Sequence, residues 1–135
     1  MGLWRADTFE NSEALDWLSD LLDENDLYFV HNTLEIIADY PPGEQPDSWD
    51  CICALAAAEL VAAARGEPPE IFPPVAAEWV EAYGLEPDEE LMDFSTKAVE
   101  RIGTNSWLKN EWDEAEDNEK WYHSLTDLKR RLGHD

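Results

Sequence analysis

The sequence predicts an all-α protein, a single compact domain over residues 1–135 with six or seven helices around a central alanine-rich helix at about 48–65. Three observations support this prediction. Nearly every segment repeats its apolar residues with the helical period of about 3.6 rather than the strand period of about 2. Runs of β-branched residues bounded by turn pairs are missing. The stretch from Cys51 to Ala64 holds a single charge, Glu59, which is typical of a helix with neighbours on several sides.

The first two helices follow from their apolar stripes and their end signals. The first has Asn11 or Ser12 as its cap, and the second begins after Asp26. The stripe of the first helix consists of Ala14, Leu15, Trp17, Leu18, Leu21 and Leu22. The loop YPPGEQPD ends the second helix, because proline cannot continue a helix and glycine permits the chain to reverse.

The remaining helices carry similar signals. Asp47 or Ser48 caps the central helix and Gly66 ends it, and a short fourth helix stops at Gly84. The fifth helix takes Pro87 in its first turn and ends at Gly103, and the tail from residue 105 forms two more helices. The tryptophans that fit the stripes are predicted to be core residues: Trp17, Trp79, Trp112 and Trp121.

Glu59 is the charged residue of the central helix. Neither face of that helix is a polar stripe, so we expect Glu59 to be buried. A buried carboxylate is costly unless a cation or a hydrogen-bond donor meets it. The candidate partners are Arg5, Lys97, Arg101, the indole N–H groups and the tyrosine hydroxyls. We therefore predict a paired structural carboxylate. An exposed Glu59 and a catalytic Glu59 are the alternatives, although no second acid or histidine lies at matching helical spacing.

The charge balance excludes whole classes of partner. The chain has 9 Lys and Arg against 32 Asp and Glu, a net charge of −23. Because phosphate contacts need Lys and Arg, we expect no direct binding of nucleic acid or of an anionic membrane. No stretch reaches the roughly 18 apolar residues that span a bilayer, and the first residues lack the apolar core of a signal peptide. These features predict a soluble protein of the cytoplasm.

Residues of the types that bind metals are present at unsuitable spacings. Cys51 and Cys53 lie on different faces of the central helix, and His31, His123 and His134 are scattered, so no zinc site is expected. The acids of the first helix could hold a divalent cation, but an exposed acidic face is usually solvated. The chain also lacks the motifs of phosphate-binding loops and nucleophile elbows. We therefore expect no cofactor, no metal site and no catalytic motif.

Trp49 and Trp107 fit the apolar stripes poorly. Trp49 follows the proline-rich loop and has acids on both sides, although a place in the core at the start of the third helix fits its spacing equally well. An exposed tryptophan among carboxylates is suited to binding a basic protein partner. The predicted partner-binding residues are Asp16, Asp20, Asp23, Glu24, Asp47, Trp49 and Asp50.

The acid excess does not stabilise the helices, since like charges four residues apart cost roughly 0.2–0.5 kcal/mol per pair. We interpret the chain as an acidic protein-binding module, most concretely an immunity or inhibitor protein that neutralises a basic partner such as a toxin or nuclease. One alternative is a small metal-assisted or acid/base enzyme that uses Glu59. The other is that the acidity serves only solubility or adaptation to salt.

Several motifs spread along the chain carry a family resemblance. They are MGLW at the start, then FENSEALDWL, ALAAAELVAA and NSWLKNEW. Together they resemble a bacterial family known as domain of unknown function 4259, over nearly the whole chain. The family has Gly where this chain has Arg5, which favours Arg101 as the buried partner of Glu59. The resemblance implies a compact bacterial cytoplasmic protein without supplying an activity. It also implies a shared framework that includes Trp4, Asn11, Asp16 and Glu59.

Overall fold

The structure, a computed structural model, describes residues 5–24 and 26–133, and in those residues it contains α-helices, one short 3-10 helix and no strand. The 3-10 helix Thr8–Glu10 precedes the first α-helix. The α-helices are α1 Ser12–Glu24, α2 Leu27–Ala38, α3 Ser48–Ala64, α4 Pro74–Tyr83, α5 Glu89–Thr104, α6 Trp107–Asp113 and α7 Asn118–Arg131. The all-α prediction is confirmed. Trp4 and His134, which the sequence analysis named, lie outside the described residues.

Helix α3 is the centre of the fold, as predicted. It packs against α1, α2, α4, α5, α6 and α7, and every residue from 51 to 62 is buried. Five alanines lie in that buried stretch, and their small side chains let neighbouring helices approach on all sides. An apolar surface all round the helix is therefore the local cause of its central position.

Side chains cap several helices at their N-termini. Asp26 accepts a hydrogen bond from the backbone N–H of Tyr28 in α2, and Asp47 accepts one from that of Asp50 in α3. These bonds satisfy donors that have no partner inside a helix. At the other end of α4, Gly84 takes the left-handed conformation at φ 61°, which glycine adopts without a steric cost. The predicted caps of α2 and α3 and the predicted end of α4 are confirmed.

Asn11 lies at the predicted cap position directly before α1, but its side chain forms its hydrogen bonds with the preceding segment. Its side chain turns back to the preceding segment, where Nδ2 donates to the backbone oxygen of Arg5 at 3.0 Å and Oδ1 accepts from the backbone N–H of Arg5 at 2.7 Å. It also donates to the backbone oxygen of Thr8. Asn11 is buried and holds the 3-10 helix against the start of α1.

Helix α5 differs from its prediction at both ends. Pro87 precedes the cap residue Asp88, so it lies outside the helix and not in its first turn. Gly103 lies inside the helix, which continues to Thr104. A Cβ atom on Gly103 would lie 3.3 Å from Cδ1 of Leu125 in α7. Gly103 therefore allows α7 to approach α5 closely, and it does not end the helix.

The tryptophans on the apolar stripes form core contacts, as predicted. Trp17, Trp79, Trp112 and Trp121 are all buried. Trp112 and Trp121 stack with their ring centroids 5.8 Å apart and join α6 to α7. Trp17 donates its indole N–H to the hydroxyl of Thr33 at 3.0 Å and thereby links α1 to α2.

Among the described residues, none of the helices is both long enough and apolar enough to span a bilayer.

Candidate functional site

Trp49 lies in the first turn of α3 and is largely exposed. Its accessible fraction is 51%, and that of Trp107 at the start of α6 is 53%. Most tryptophans in this chain are buried, because their large apolar rings gain free energy by leaving water. Of the two predicted positions for Trp49, in the core or at the surface, the structure shows the surface position. Asp47, also exposed, and Asp50, partly exposed, lie on the same turn.

The starts of α3 and α6 are joined by hydrogen bonds. The backbone N–H of Trp107 donates to the backbone oxygen of Pro46 at 3.0 Å, next to the cap residue Asp47. Ser48 donates its hydroxyl to the carboxylate of Glu111. These bonds place the two exposed tryptophans on neighbouring helix starts. We call the residues Trp49, Trp107, Asp47 and Asp50 the tryptophan surface.

Acids from α1 extend the negative charge beside this surface. Burial first, and then the charges of Asp50, Asp20, Asp47 and Glu13, together raise the pKa of the Cys53 thiol to about 12. Asp20 of α1 is thus close enough to α3 to act on the same thiol as Asp47 and Asp50. Asp50 itself has a raised pKa, first through its partial burial and then through the charge of Asp47. The structure therefore brings part of the predicted acidic set together.

The other predicted acids of α1 are exposed. Asp16, Asp23 and Glu24 lie in the same helix as Asp20 on its solvent side. The apolar side of α1, with Trp17 and others, faces the core. These three carboxylates add to the negative potential of α1. Among the described residues, no hydrogen bond or salt bridge links them to Trp49.

Glu59 is buried, as predicted, with 2% of its surface accessible. Its Oε1 accepts a hydrogen bond from Nη1 of Arg131 at 2.8 Å, and its Oε2 accepts one from the hydroxyl of Thr8 at 3.1 Å. Burial raises the pKa of Glu59, and the charge and hydrogen bond of Arg131 oppose the rise. Glu59 therefore joins α3, α7 and the 3-10 helix.

Arg131 is the centre of this network. Its Nε donates to Asp127 at 2.7 Å, and its Nη1 also donates to the backbone oxygen of Glu67 at 3.3 Å. Burial alone would lower the pKa of Arg131, but the charge of Glu59 and the hydrogen bonds to Glu59 and Asp127 raise it overall. Arg131 thus stays charged in a buried position and meets two carboxylates.

The predicted partners of Glu59 were wrong. Arg101 donates from its guanidinium to the backbone oxygens of Tyr40, Pro41 and Glu44, where the chain leaves α2. Those carbonyls need donors, and the five N–H groups of an arginine can serve several at once. Arg101 therefore holds the proline-rich loop. Lys97 forms an exposed salt bridge with Asp93 at 3.0 Å.

The sequence contains one signal that points to Arg131. It lies three residues after Leu128 and one before Leu132, both of which belong to the apolar stripe of α7. Residues three apart on a helix share a face. A cation on an apolar face must itself find a buried partner, so Arg131 was a candidate for Glu59. Arg131 was not among the predicted partners of Glu59.

Glu59 and Arg131 also border a cleft of about 230 Å³. Its lining includes Asp7, Lys120 and His123, so both signs of charge are present. Each oxygen of Glu59 already accepts a hydrogen bond from a side chain, so the carboxylate is engaged in the network rather than directed to a substrate. In the parts of the chain that the structure describes, no group of three or more His, Cys, Asp or Glu residues is arranged to hold a metal ion.

Comparison with known proteins identifies a family for this chain. The profile of the family described as Domain of unknown function (DUF4259) matches residues 2–124. No curated protein and no solved structure matches the chain. The matched range contains Trp49, Glu59 and Trp107, and it ends before Asp127 and Arg131. The network around Glu59 therefore joins residues inside the matched range to residues outside it.

Proposed function

We propose that this chain, which belongs to the DUF4259 family, is an acidic protein-binding module that captures a basic protein partner. The observation that carries the proposal is the exposure of Trp49 on the same helical turn as Asp47 and Asp50. An exposed aromatic ring gains free energy when a partner buries it, so it can contribute to binding. The carboxylates beside it favour a partner with positive charge.

Charge and aromatic contact contribute to different stages of such binding. A net charge of −23 attracts a basic protein over a long range and raises the rate of association. Charge alone adds little to the lifetime of a complex, whereas aromatic anchors that lose their water on binding usually supply most of the affinity. The tryptophan surface provides both features at neighbouring helix starts.

The concrete form of the proposal is an immunity or inhibitor protein of the bacterial cytoplasm. Its partner would be a basic toxin or nuclease, whose substrate groove carries the Lys and Arg residues that bind phosphates. Carboxylates on a folded surface can occupy such a groove and exclude the nucleic acid. Support comes from the acid excess and from the exposed ring beside it.

The geometry favours this function over acid/base catalysis by Glu59. Both oxygens of Glu59 accept side-chain hydrogen bonds, and the carboxylate is 2% accessible. A general base needs to reach the proton that it removes, within hydrogen-bond distance of a substrate. Trp49, by contrast, is open to a partner in the structure as it stands.

The test compares three versions of the protein as bait for basic proteins of the source cells. The first is the wild type, and the second neutralises the four acids of α1 in Asp16→Asn, Asp20→Asn, Asp23→Asn and Glu24→Gln. The matched control makes the same change in charge at four exposed acids elsewhere, in Glu78→Gln, Glu81→Gln, Glu114→Gln and Glu116→Gln. The captured protein is then purified, and its association rate is measured at low and high salt.

The proposal predicts a captured partner with an excess of Lys and Arg. Neutralising the α1 acids should slow its association by about tenfold or more at low salt and flatten the dependence on salt. The control variant should retain most of the rate, because its four charges belong to α4 and to the segment after α6 and not to α1. A partner whose binding ignores both the salt and the α1 acids would refute electrostatic capture.

A further inference from the structure

A second surface feature lies where the start of α2, the end of α4 and the start of α5 meet. It is a groove of about 500 Å³. The residues that define it are Leu27, Tyr28, Leu85, Glu86, Asp88 and Glu90. Leu85 is buried, whereas Leu27 and Tyr28 are exposed. The groove thus combines apolar walls with three carboxylates from the segment that joins α4 to α5 and begins α5.

Tyr28 is held in place by an aromatic stack. The ring of His31 stacks on it with centroids 5.2 Å apart, and Phe94 meets His31 edge-on with centroids 4.9 Å apart. His31 is fixed in turn by Glu90, whose Oε1 lies 3.1 Å from Nε2. The Tyr28 residue is nevertheless 58% exposed. A supported ring that faces water can bind a ligand with little loss of side-chain entropy.

The charges of the groove are uniformly negative. None of its lining residues in the described chain is Lys or Arg. The N-terminal ends of α2 and α5, which carry partial positive charge, are capped by Asp26 and Asp88. The side chain of Glu90 is 73% accessible despite its contact with His31, and Glu86 is exposed. Glu86 and Glu90 are therefore available to a cation.

We propose that this groove binds a lysine- or arginine-bearing segment of the basic partner, with the cationic side chain beside Tyr28, Glu86 and Glu90. The inference rests on the proposed function, because it names a second contact for the same partner. A cation over an aromatic face is attracted by the electrons of the ring. The long apolar stem of Lys or Arg packs against leucines while its charged end reaches carboxylates. The groove supplies all three kinds of contact.

The test uses two synthetic peptides with the purified full chain, tetralysine and, as the neutral control, tetraglutamine. NMR resonances of Tyr28, His31, Leu85 and the Trp49 indole report where each peptide binds. The test variant combines Glu86→Gln with Glu90→Gln. The control variant combines Glu78→Gln with Glu81→Gln, which removes the same charge from exposed positions of α4.

If the groove binds a cationic segment, tetralysine should cause saturable changes in the NMR chemical shifts of Tyr28, His31 and Leu85, and tetraglutamine should cause none. The Glu86/Glu90 variant should bind tetralysine roughly three- to tenfold more weakly, and the control variant less than about twofold. Tyr28→Ala should weaken binding by about two- to fivefold.

Two contrary results have different meanings. Shifts confined to Trp49 would refute the groove and leave the proposed function in place. Chemical-shift changes spread over all acidic surfaces, and reduced equally by both double variants, would show only diffuse attraction to the net charge. That result would contradict binding in the groove and would also weaken the proposed function.

Discussion

Arg131 donates a hydrogen bond to Glu59 at 2.8 Å across 72 residues of sequence, and both side chains are almost completely buried. The pair joins the last helix to the central one. Removing one member of a buried pair leaves the other charge without compensation, and this is more costly than removing both. The relationship therefore makes quantitative predictions about stability.

The first prediction is a thermodynamic cycle on this pair. Glu59→Ala and Arg131→Ala should each lower the free energy of unfolding by about 3–5 kcal/mol, because the first leaves the buried Arg131 with Asp127 as its remaining carboxylate and the second leaves the buried Glu59 without its cation. The double replacement Glu59→Leu with Arg131→Leu should cost much less than the sum of the two single changes. Urea unfolding curves measure all of these values. Additive effects would show that the two groups do not depend on each other.

The second prediction concerns the pH dependence of stability. Burial raises the pKa of Glu59 above its usual 4.5, so the folded state holds the proton more tightly than the unfolded state. Its contribution to stability is therefore full below pH 4.5 and is lost as the pH rises through the folded pKa. Relative to the non-titrating Glu59→Gln, the wild type should gain free energy of unfolding as the pH falls from neutral. Urea unfolding over a series of pH values measures the difference.

Asp127 provides a control of opposite sign. Burial alone would raise its pKa, but hydrogen bonds from Arg130 and Arg131 lower it below 3.8 overall. The stability that it contributes is present above pH 3.8 and is lost as the pH falls through the lowered pKa. Relative to Asp127→Asn, the wild type should therefore lose stability on acidification. If the free energies of unfolding of Glu59→Gln and Asp127→Asn changed with pH in the same direction relative to the wild type, the opposite pKa shifts of Glu59 and Asp127 would be contradicted.

The third prediction concerns the two thiols. Burial raises the pKa of Cys51 and of Cys53 to about 12, so both stay protonated at neutral pH. Because the thiolate is the reactive form, the native protein should resist alkylation by iodoacetamide at pH 8 and react only as fast as it unfolds. In guanidinium chloride both thiols should react at the rate of a free cysteine. Rapid alkylation of either thiol in the native protein would show that α3 is less enclosed than described.

The sequence was informative where a structural feature depends on near neighbours. The caps Asp26 and Asp47 and the αL residue Gly84 were predicted correctly because each acts within one turn of its own helix end. The positions of Pro87 and Gly103 relative to α5 were predicted wrongly. For Gly103 the reason lies in the tertiary packing. Gly103 is required by the approach of Leu125 from α7, which no local pattern contains.

The candidate sites depended on packing and were only partly predictable. That Glu59 is buried followed from the apolar faces of α3, but which cation meets it depends on how α7 packs on α3. The helical spacing of Trp49 allowed both a core and a surface position. In the structure Trp49 is exposed, beside a contact between the starts of α3 and α6 through Pro46 and Trp107 that no local pattern contains. The groove at Tyr28 brings together two distant stretches of chain, 27–31 and 84–91, and has no continuous sequence signal.

The most direct test of the central claim is the substitution Trp49→Ala, measured both for affinity to the purified basic partner and for thermal unfolding. The exposed residue Ile36 on α2 offers a matched control in Ile36→Ala. We predict that Trp49→Ala weakens binding by more than about 2 kcal/mol, or roughly 30-fold in Kd, and shifts the unfolding midpoint by less than about 3 °C. Ile36→Ala should change neither value appreciably. Unchanged affinity with a midpoint lowered by several degrees would contradict the account, because Trp49 would then serve the fold and not a partner.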